Sequence, residues 1–472
     1  MMLRYALLTT TAAIAAVLAT TSARAQSFTA GDLVISVEGD GSNTGSYGDN
    51  QAAPLTLDEL SVNTSNTAAS IAATWEMPQV TTVVNGVTQY ALSGEYGSSS
   101  EGTLQDSGNG QYLTIMGYGV NANAFNANPA AYSAAGSGNT ALAQSLDTAV
   151  PRVVGLIGAS GSVDTSTALT NVFNENNPRS AYTYDGSSFY VSGQGASKTD
   201  TATQGVFIAA KGATTATQIY GATDTRDVQV VNGSLYASLD YNPTGGHGPA
   251  SIMKLSGPGG TLPTSSAGVT PSYLLSTAAN SFAEVTVNAA NENGVNNSRL
   301  GALVYLSPES YFFANSTTLY VADSGSPKNG SANAAGLGDG GLQKWTLSNG
   351  VWSLDYTVSL GLNLVNNDLT TGVTGLLGLA GKVVGGNVYL YATSYTIGDL
   401  DQDYVYGIED SLTNTADPTG ESFTTLFTAG ADENIKGIAF APVPEPASLA
   451  VLGAGLAGLL LVRRRRVSGG LN

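Results

Sequence analysis

The chain has no cysteine. That excludes disulfides, thiolate metal sites and cysteine nucleophiles. Histidine is nearly absent too, with one copy, His247, in Gly245-Gly246-His247-Gly248-Pro249. A Ser-His-Asp triad would have to use this residue, and a histidine-based metal cluster is excluded. There is no Gly-x-Ser-x-Gly elbow, and His247 reads as a loop residue. Charge is scarce, at 11% of the 472 residues. Basic charge is scarcer still, with 17 Lys and Arg against 35 Asp and Glu and a formal net charge of −18. Arg4, Arg24 and Arg463 to Arg466 lie in the terminal segments, so the body is more acidic than the whole. Such a surface repels nucleic acid and anionic lipid but stays soluble among neutral polysaccharides. Between residues 26 and 441 the arginines are Arg152, Arg179, Arg226 and Arg299. That is a poor supply for gripping phosphates, and no glycine-rich phosphate loop leads into a helix. Without disulfides, an exported chain must rely on a large core. The 58 Gly and 16 Pro fall below the ~25–30% that marks low-complexity disorder.

What is present is clearest at the two ends. Arg4, an apolar run from Ala6 to Ala19 and the small residues Ala23-Arg24-Ala25 read as a secretory signal peptide over 1–25. At the other end stand Val443-Pro444-Glu445-Pro446, an uncharged stretch from Ala447 to Val462, and four arginines. Proline has no backbone donor, so a helix starts only after Pro446. The uncharged stretch would span roughly 24 Å as a helix, a little short of a ~30 Å bilayer core. The arginines would stay cytoplasmic, leaving the rest of the chain outside. On physics alone a permanent anchor and a temporary one are both open.

This tail resembles the PEP-CTERM sorting signal of exported bacterial proteins. The resemblance assigns the signal to Pro444, Glu445, Pro446, Arg463, Arg464, Arg465 and Arg466. It implies an exosortase-type membrane processing enzyme as partner and a cut near Pro-Glu-Pro. The C-terminal helix is then a membrane handle held only until processing. The expected organisation is a signal peptide at 1–25, an exported domain at 26–441 and a sorting segment at 442–472.

The body reads as strands and turns. Thr81–Val84 and Val87–Tyr90 flank Asn85-Gly86, Val228–Val231 and Leu235–Leu239 flank Asn232-Gly233, and Lys344–Leu347 and Val351–Leu354 flank Ser348-Asn349-Gly350. Each pattern predicts a hairpin. A weak repeat centres on Tyr112, Tyr190, Tyr236, Tyr320 and Tyr389, each in a short apolar strand after a turn. Their spacings resemble one or two units of roughly 40–45 residues, the size of a propeller blade. The repeated tyrosines are expected to pack between blades. Val153-Val154-Gly155-Leu156-Ile157 and the Asn176-Asn177-Pro178 turn also make the middle region similar to secreted β-propeller-like proteins. The expected fold is all-β, a β-propeller with seven blades favoured. Leu33–Val37 and Ile435–Phe440 are expected to pair within one blade and close the ring.

Ten or eleven residues before the first four tyrosines stands a charge, Glu101, Arg179, Arg226 or Glu309. Lys436 holds that place in the last strand, while the Tyr389 copy has Gly378 instead. In a propeller these positions enter the inner strands near the channel mouth, which makes the five charged residues binding candidates. Charges marking strand ends near water would give the same pattern. Asp399, Asp401 and Asp403 alternate as in calcium loops, but Tyr404 replaces the expected glycine. They are weak Ca²⁺ candidates, and no other cofactor is expected. Nothing selects a catalytic carboxylate pair. The expectation is therefore a non-enzymatic cell-surface or extracellular-matrix protein associated with exopolysaccharide. The alternative is a propeller-fold hydrolase acting on a polysaccharide or ester.

Overall fold

The computed structural model describes residues 27–41, 47–133, 138–197, 199–222, 224–240, 250–275, 306–325, 340–365, 371–416 and 418–444. It also gives the backbone of 284–286, 292–293 and 303–305. Among these residues the chain is all-β apart from one short α-helix, Ala122–Ala127, and two single-turn 3₁₀ segments. The helix is capped by Asn121, whose side chain accepts from Ala124 N at 2.8 Å. Strands such as Leu33–Gly39, Arg152–Gly158 and Thr318–Asp323 are buried on both faces, while an outer strand such as Ala69–Glu76 is largely exposed.

Four sheets are antiparallel meanders of propeller-blade type. The first runs Pro178–Tyr182, Ser188–Gly193, Gly205–Ala210, Thr217–Tyr220. The second runs Thr225–Val231, Ser234–Leu239, Ser251–Ser256, Thr270–Tyr273. The third runs Pro308–Asn315, Thr318–Asp323, Gly341–Ser348, Val351–Val358, with Glu292–Asn293 added in parallel at its outer edge. The fourth runs Val373–Val384, Asn387–Thr396, Tyr404–Ser411, Thr424–Thr428. A nine-stranded sheet contains two further meanders. One is Glu433–Phe440, Leu33–Gly39, Ala52–Val62, Ala69–Glu76, and the other is Gln105–Asp106, Tyr112–Tyr118, Arg152–Gly158, Val163–Leu169. Ser93–Glu95 joins them.

The last strand pairs with the first, Leu33 opposite Phe440 and Glu38 opposite Asn434. The expected closure is therefore present. The inner strands touch in turn: 178–182 against 225–231, then 308–315, 373–384, 433–440, 105–106 and back to 178–182. The apolar core is divided the same way, into wedges between consecutive meanders. Leu376, Leu390, Tyr320 and Tyr356 fill the wedge between the third and fourth, and Val206, Val228 and Leu255 the one between the first and second. Tyr320 is fully buried in such a wedge, and Tyr112, Tyr190 and Tyr236 pack against others.

Besides these six meanders, the described strands include two separate pairs, Thr82–Val84 with Val87–Gln89 and Glu284–Thr286 with Leu303–Tyr305. The short helix lies between Tyr112–Tyr118 and Arg152–Gly158.

The three Asn-Gly hairpins are present. Asn85, Asn232 and Asn349 have φ of 51°, 48° and 52°, followed by Gly86, Gly233 and Gly350 at 81°, 74° and 81°. Both turn residues are left-handed, the geometry whose twist matches the flanking strands.

One side-chain device ties the meanders together. Ser192 Oγ donates to Arg226 O, Ser238 Oγ to Glu309 O, Thr393 Oγ1 to Lys436 O, Ser36 Oγ to Gly102 O and Thr114 Oγ1 to Ala181 O. Each is a second-strand hydroxyl reaching the backbone at the start of the next meander. Three of them also accept from their own inner strand: Ser238 from Asp227 N at 2.9 Å, Thr393 from Gly378 N at 2.8 Å and Ser36 from Gly437 N at 2.7 Å. These accepting hydroxyls sit where the inner strand bulges, so they satisfy a donor the ladder leaves free. The junction between the third and fourth meanders has Ala322 at the corresponding place. A buried ion pair crosses there, Lys344 Nζ to Asp410 Oδ2 at 3.0 Å, and Thr374 Oγ1 donates to Ser324 O at 2.9 Å.

Candidate binding site at the channel mouth

A β-bulge aims a side chain off the regular ladder. Arg179, Arg226, Glu309 and Lys436 all lie at register shifts near the start of inner strands. That turns them toward the ring axis and not into the wedges. The Tyr389 copy, which lacked the charge, has its bulge between Leu376 and Leu379, around Gly378. Glu101 lies just ahead of the short strand Gln105–Asp106. All five charged candidates are buried, between 2% and 6% exposed, so they are not the solvated strand ends that the plainer reading offered.

The structure gathers them into two groups. In the first, Arg179 Nη1 meets Asp224 Oδ1 at 2.6 Å and donates to Thr225 O at 3.1 Å. Arg226 meets Asp240 at 2.6 Å, Asp224 at 3.3 Å and Glu309 at 3.4 Å. Burial opposes the charge on Arg226, but Glu309, Asp224 and Asp240 more than offset it and raise its pKa. Glu309 also accepts from Ser324 Oγ at 3.0 Å. Burial pushes its carboxyl up to about 8, with Arg226 pulling back and Asp240 adding to the rise.

The second group is acidic. Glu101 accepts from Glu95 N at 2.6 Å and from Asn177 Nδ2 at 3.4 Å. Burial pushes it up to about 7. Glu38 is fully buried and neither carboxylate oxygen has a hydrogen-bond partner. Burial, then Glu101, raises its pKa well above the ordinary range. Lys436 is the cation of this group and lowers Glu38, Glu101 and Asp403.

Above the arginines lies a cup of about 480 Å³, within the size range of ligand sites. Asn177, Arg179, Gln194, Asp224, Arg226, Asp240 and Tyr395 line it. Glu309 is not part of its wall. Next along the strand from Arg226, Asp227 is fully buried. Its carboxylate accepts from Ser310 at 2.8 Å, Gln229 at 3.0 Å, Ser180 at 3.4 Å and from Gln105. Four meanders meet on this one carboxylate through Gln105, Ser180, Asp227 and Ser310. Burial pushes Asp227 up to about 6.

Sequence reasoning missed Asp224, Asp240, Asp227, Glu38 and Glu95. A readable signal existed for two of them. Asp224 stands two residues before Arg226, and Asp240 follows Leu239 at the mouth end of a second strand. Glu38 carried no such mark, because only the pairing of distant strands brings it to Glu101, and Glu95, six residues before Glu101, stands in no repeated position.

The three calcium candidates have separate partners. Asp401 accepts from Gly398 N and Gly372 N, each at 2.8 Å, and so caps its own loop. Asp403 is buried and accepts from Ser394 Oγ at 3.0 Å and Ile435 N at 3.1 Å. Asp399 lies half-buried beside Gly97. Among the described residues no three His, Asp or Glu side chains converge as a metal-holding group. His247, the signal peptide, Glu445, Pro446, the stretch from Ala447 to Val462 and Arg463 to Arg466 lie outside the described residues. Pro444 is the last residue described, and it is exposed. No described helix is long and apolar enough to cross a membrane.

Residues 442–466 match the PEP-CTERM protein-sorting motif. The motif marks the chain as exported. No curated protein matches the chain in sequence. Among solved structures it is similar to a chain of a nidogen/laminin complex, at 11% identity over 86% of this chain and 98% of that one, with a TM-score of 0.39. It is also similar to CoXyl43, a GH43 β-xylosidase/α-arabinofuranosidase from a compost microbial metagenome, at 11% identity over 78% and 98% with a TM-score of 0.31. A third is sucrose-6-phosphate hydrolase from Lactobacillus gasseri, at 10% identity over 82% and 86% with a TM-score of 0.30. Likenesses this distant assign no activity.

Proposed function

We propose that the chain is an exported, non-enzymatic cell-surface or extracellular-matrix protein, a six-bladed ring whose mouth holds a polar glycan segment. The observation that carries export is the PEP-CTERM match at 442–466, directly after the strand that closes the ring. An exosortase-type enzyme removes the tail after the membrane handle has served. The cup supports glycan association because its wall offers amides, carboxylates, guanidinium groups and one phenol in place of an apolar lining.

A propeller-fold hydrolase is the second reading. It rests on Glu309, a carboxyl kept protonated near neutral pH beside the carboxylate of Asp240. Such a pair divides acid and base roles in glycoside hydrolysis. The binding reading is preferred for two reasons. Glu309 does not line the cup, and a general acid must reach its substrate. Asp224 and Asp240 are each tied to an arginine at 2.6 Å.

Mass spectrometry of the protein from its native host tests the processing. The mature form is expected to begin at Gln26 and to lack the peptide from Leu459 to Arg466; an intact tail in the mature protein defeats it. Incubation with extracellular polysaccharide separates the two functions. Release of reducing ends by the wild type, lost in Glu309→Gln, would establish the hydrolase instead.

A further inference from the structure

The opposite ends of the same strands build a second concavity. Arg226 is near the mouth end of Thr225–Val231, and Val231 is at the far end, where the Asn232-Gly233 turn begins. Between the second and third meanders on that turn face lies a groove of about 530 Å³. Tyr236, Tyr273, Phe313 and Trp352 line it, with Lys254 and Asn232 among its polar groups. The rings form a continuous strip: Tyr236 to Phe313 centroids are 4.9 Å apart, and Phe313 to Trp352 are 6.0 Å apart at 73°. All four aromatics are half-buried, each keeping part of its surface in water. The other two tryptophans behave differently, Trp75 and Trp345 being 8% and 0% exposed. Lys254 Nζ sits 5.8 Å from the Tyr236 ring centre, and among the described residues it has no carboxylate partner.

We propose that this groove is a second glycan site, which takes a pyranose ring of a neutral polysaccharide. A pyranose has an apolar C–H face and a rim of hydroxyls. The face matches an aromatic strip, and the rim matches the Lys254 ammonium and the Asn232 amide. Charge selects against other occupants. An organic cation favours aromatic faces but meets Lys254 at this one. A polyanion meets a chain of formal net charge −18. The groove shares no residue with the cup, so it stands whether or not the mouth binds glycan. If both do, the ring has sites on both faces and cross-links polymer strands.

The test is electrophoresis of the full-length protein in native gels containing dextran, hydroxyethyl cellulose or alginate, against a gel without polysaccharide. Retardation by at least one neutral polymer is expected. Trp352→Ala and Tyr236→Ala should each weaken it at least about tenfold, the size of a lost stacking contact. Trp352→Phe should retain most of it. Oligosaccharide of the retained polymer should shift the wild-type tryptophan emission and leave Trp352→Phe unshifted. If Trp352→Ala fails to fold, Trp352→Phe and the emission shift decide alone. No retardation by either neutral polymer overturns the proposal. Retardation by alginate alone overturns the neutral class. Retardation unchanged in Trp352→Ala places the binding elsewhere, in the cup, and overturns the groove.

Discussion

Arg226 carries the mouth. Its guanidinium is the shared partner of Asp224, Asp240 and Glu309, and none of these carboxyls is in bulk water. The balance among them depends on pH, and its sign follows from the raised carboxyls. Burial lifts Glu309 from 4.5 to about 8 and Glu101 from 4.5 to about 7. Both therefore hold a proton in the folded state that the unfolded chain has already released. Their contribution is fully present below the unfolded value and is lost as pH rises through the folded one. Chemical denaturation followed from about pH 5 to about pH 8 is expected to show falling stability. Glu309→Gln should flatten the upper part of that fall, since a glutamine has no proton to lose. A wild-type stability that rises over this interval would refute the assignment.

At the scale of elements, the sequence displayed one half of a repeating unit and hid the other. The tyrosines, the Asn-Gly turns and the charged positions were legible because each is a local preference, for burial, for left-handed φ or for the axis. The bulges were not, since they exist only in the pairing of two strands. The hydroxyl two residues after the tyrosine was visible as Thr114, Ser192 and Ser238 but had no assigned purpose. Its acceptor lies in the following meander, between 34 and 71 residues away in these three cases. In the fourth meander the register shows that Tyr391, two before Thr393, matches the others better than Tyr389.

The hydroxyl carries a measurable load. Ser238→Ala would leave Asp227 N and Glu309 O unsatisfied in the interior. A loss of about 1–3 kcal/mol is expected from denaturant midpoints. Ser36→Ala, at a distant junction, should add to it nearly independently. The exposed Ser187→Ala should change little. Equal, negligible effects at all three positions would show that the stitches do not hold the ring.

For the whole molecule, the closing strand sets direction. Glu433–Phe440 enters at the mouth with Lys436 and leaves at the turn face. There Ala441 N donates to Asp32 O at 2.9 Å and Val443 N to Gly110 O at 2.8 Å, in the turn before Tyr112. The described chain therefore ends, at Pro444, on the face opposite the cup. If the tail serves as the proposed membrane handle, the turn face and its aromatic groove would lie toward the bilayer while it is held there, and the cup would point away. The lack of native cysteine makes this directly measurable. Ser197→Cys reports the exposed mouth edge, and Val384→Cys reports an exposed turn tip. In spheroplasts arrested before tail processing, a bulky impermeant maleimide should label Ser197→Cys several-fold faster. In protein released from the membrane the two rates should converge. Equal rates in the tethered form would overturn this orientation.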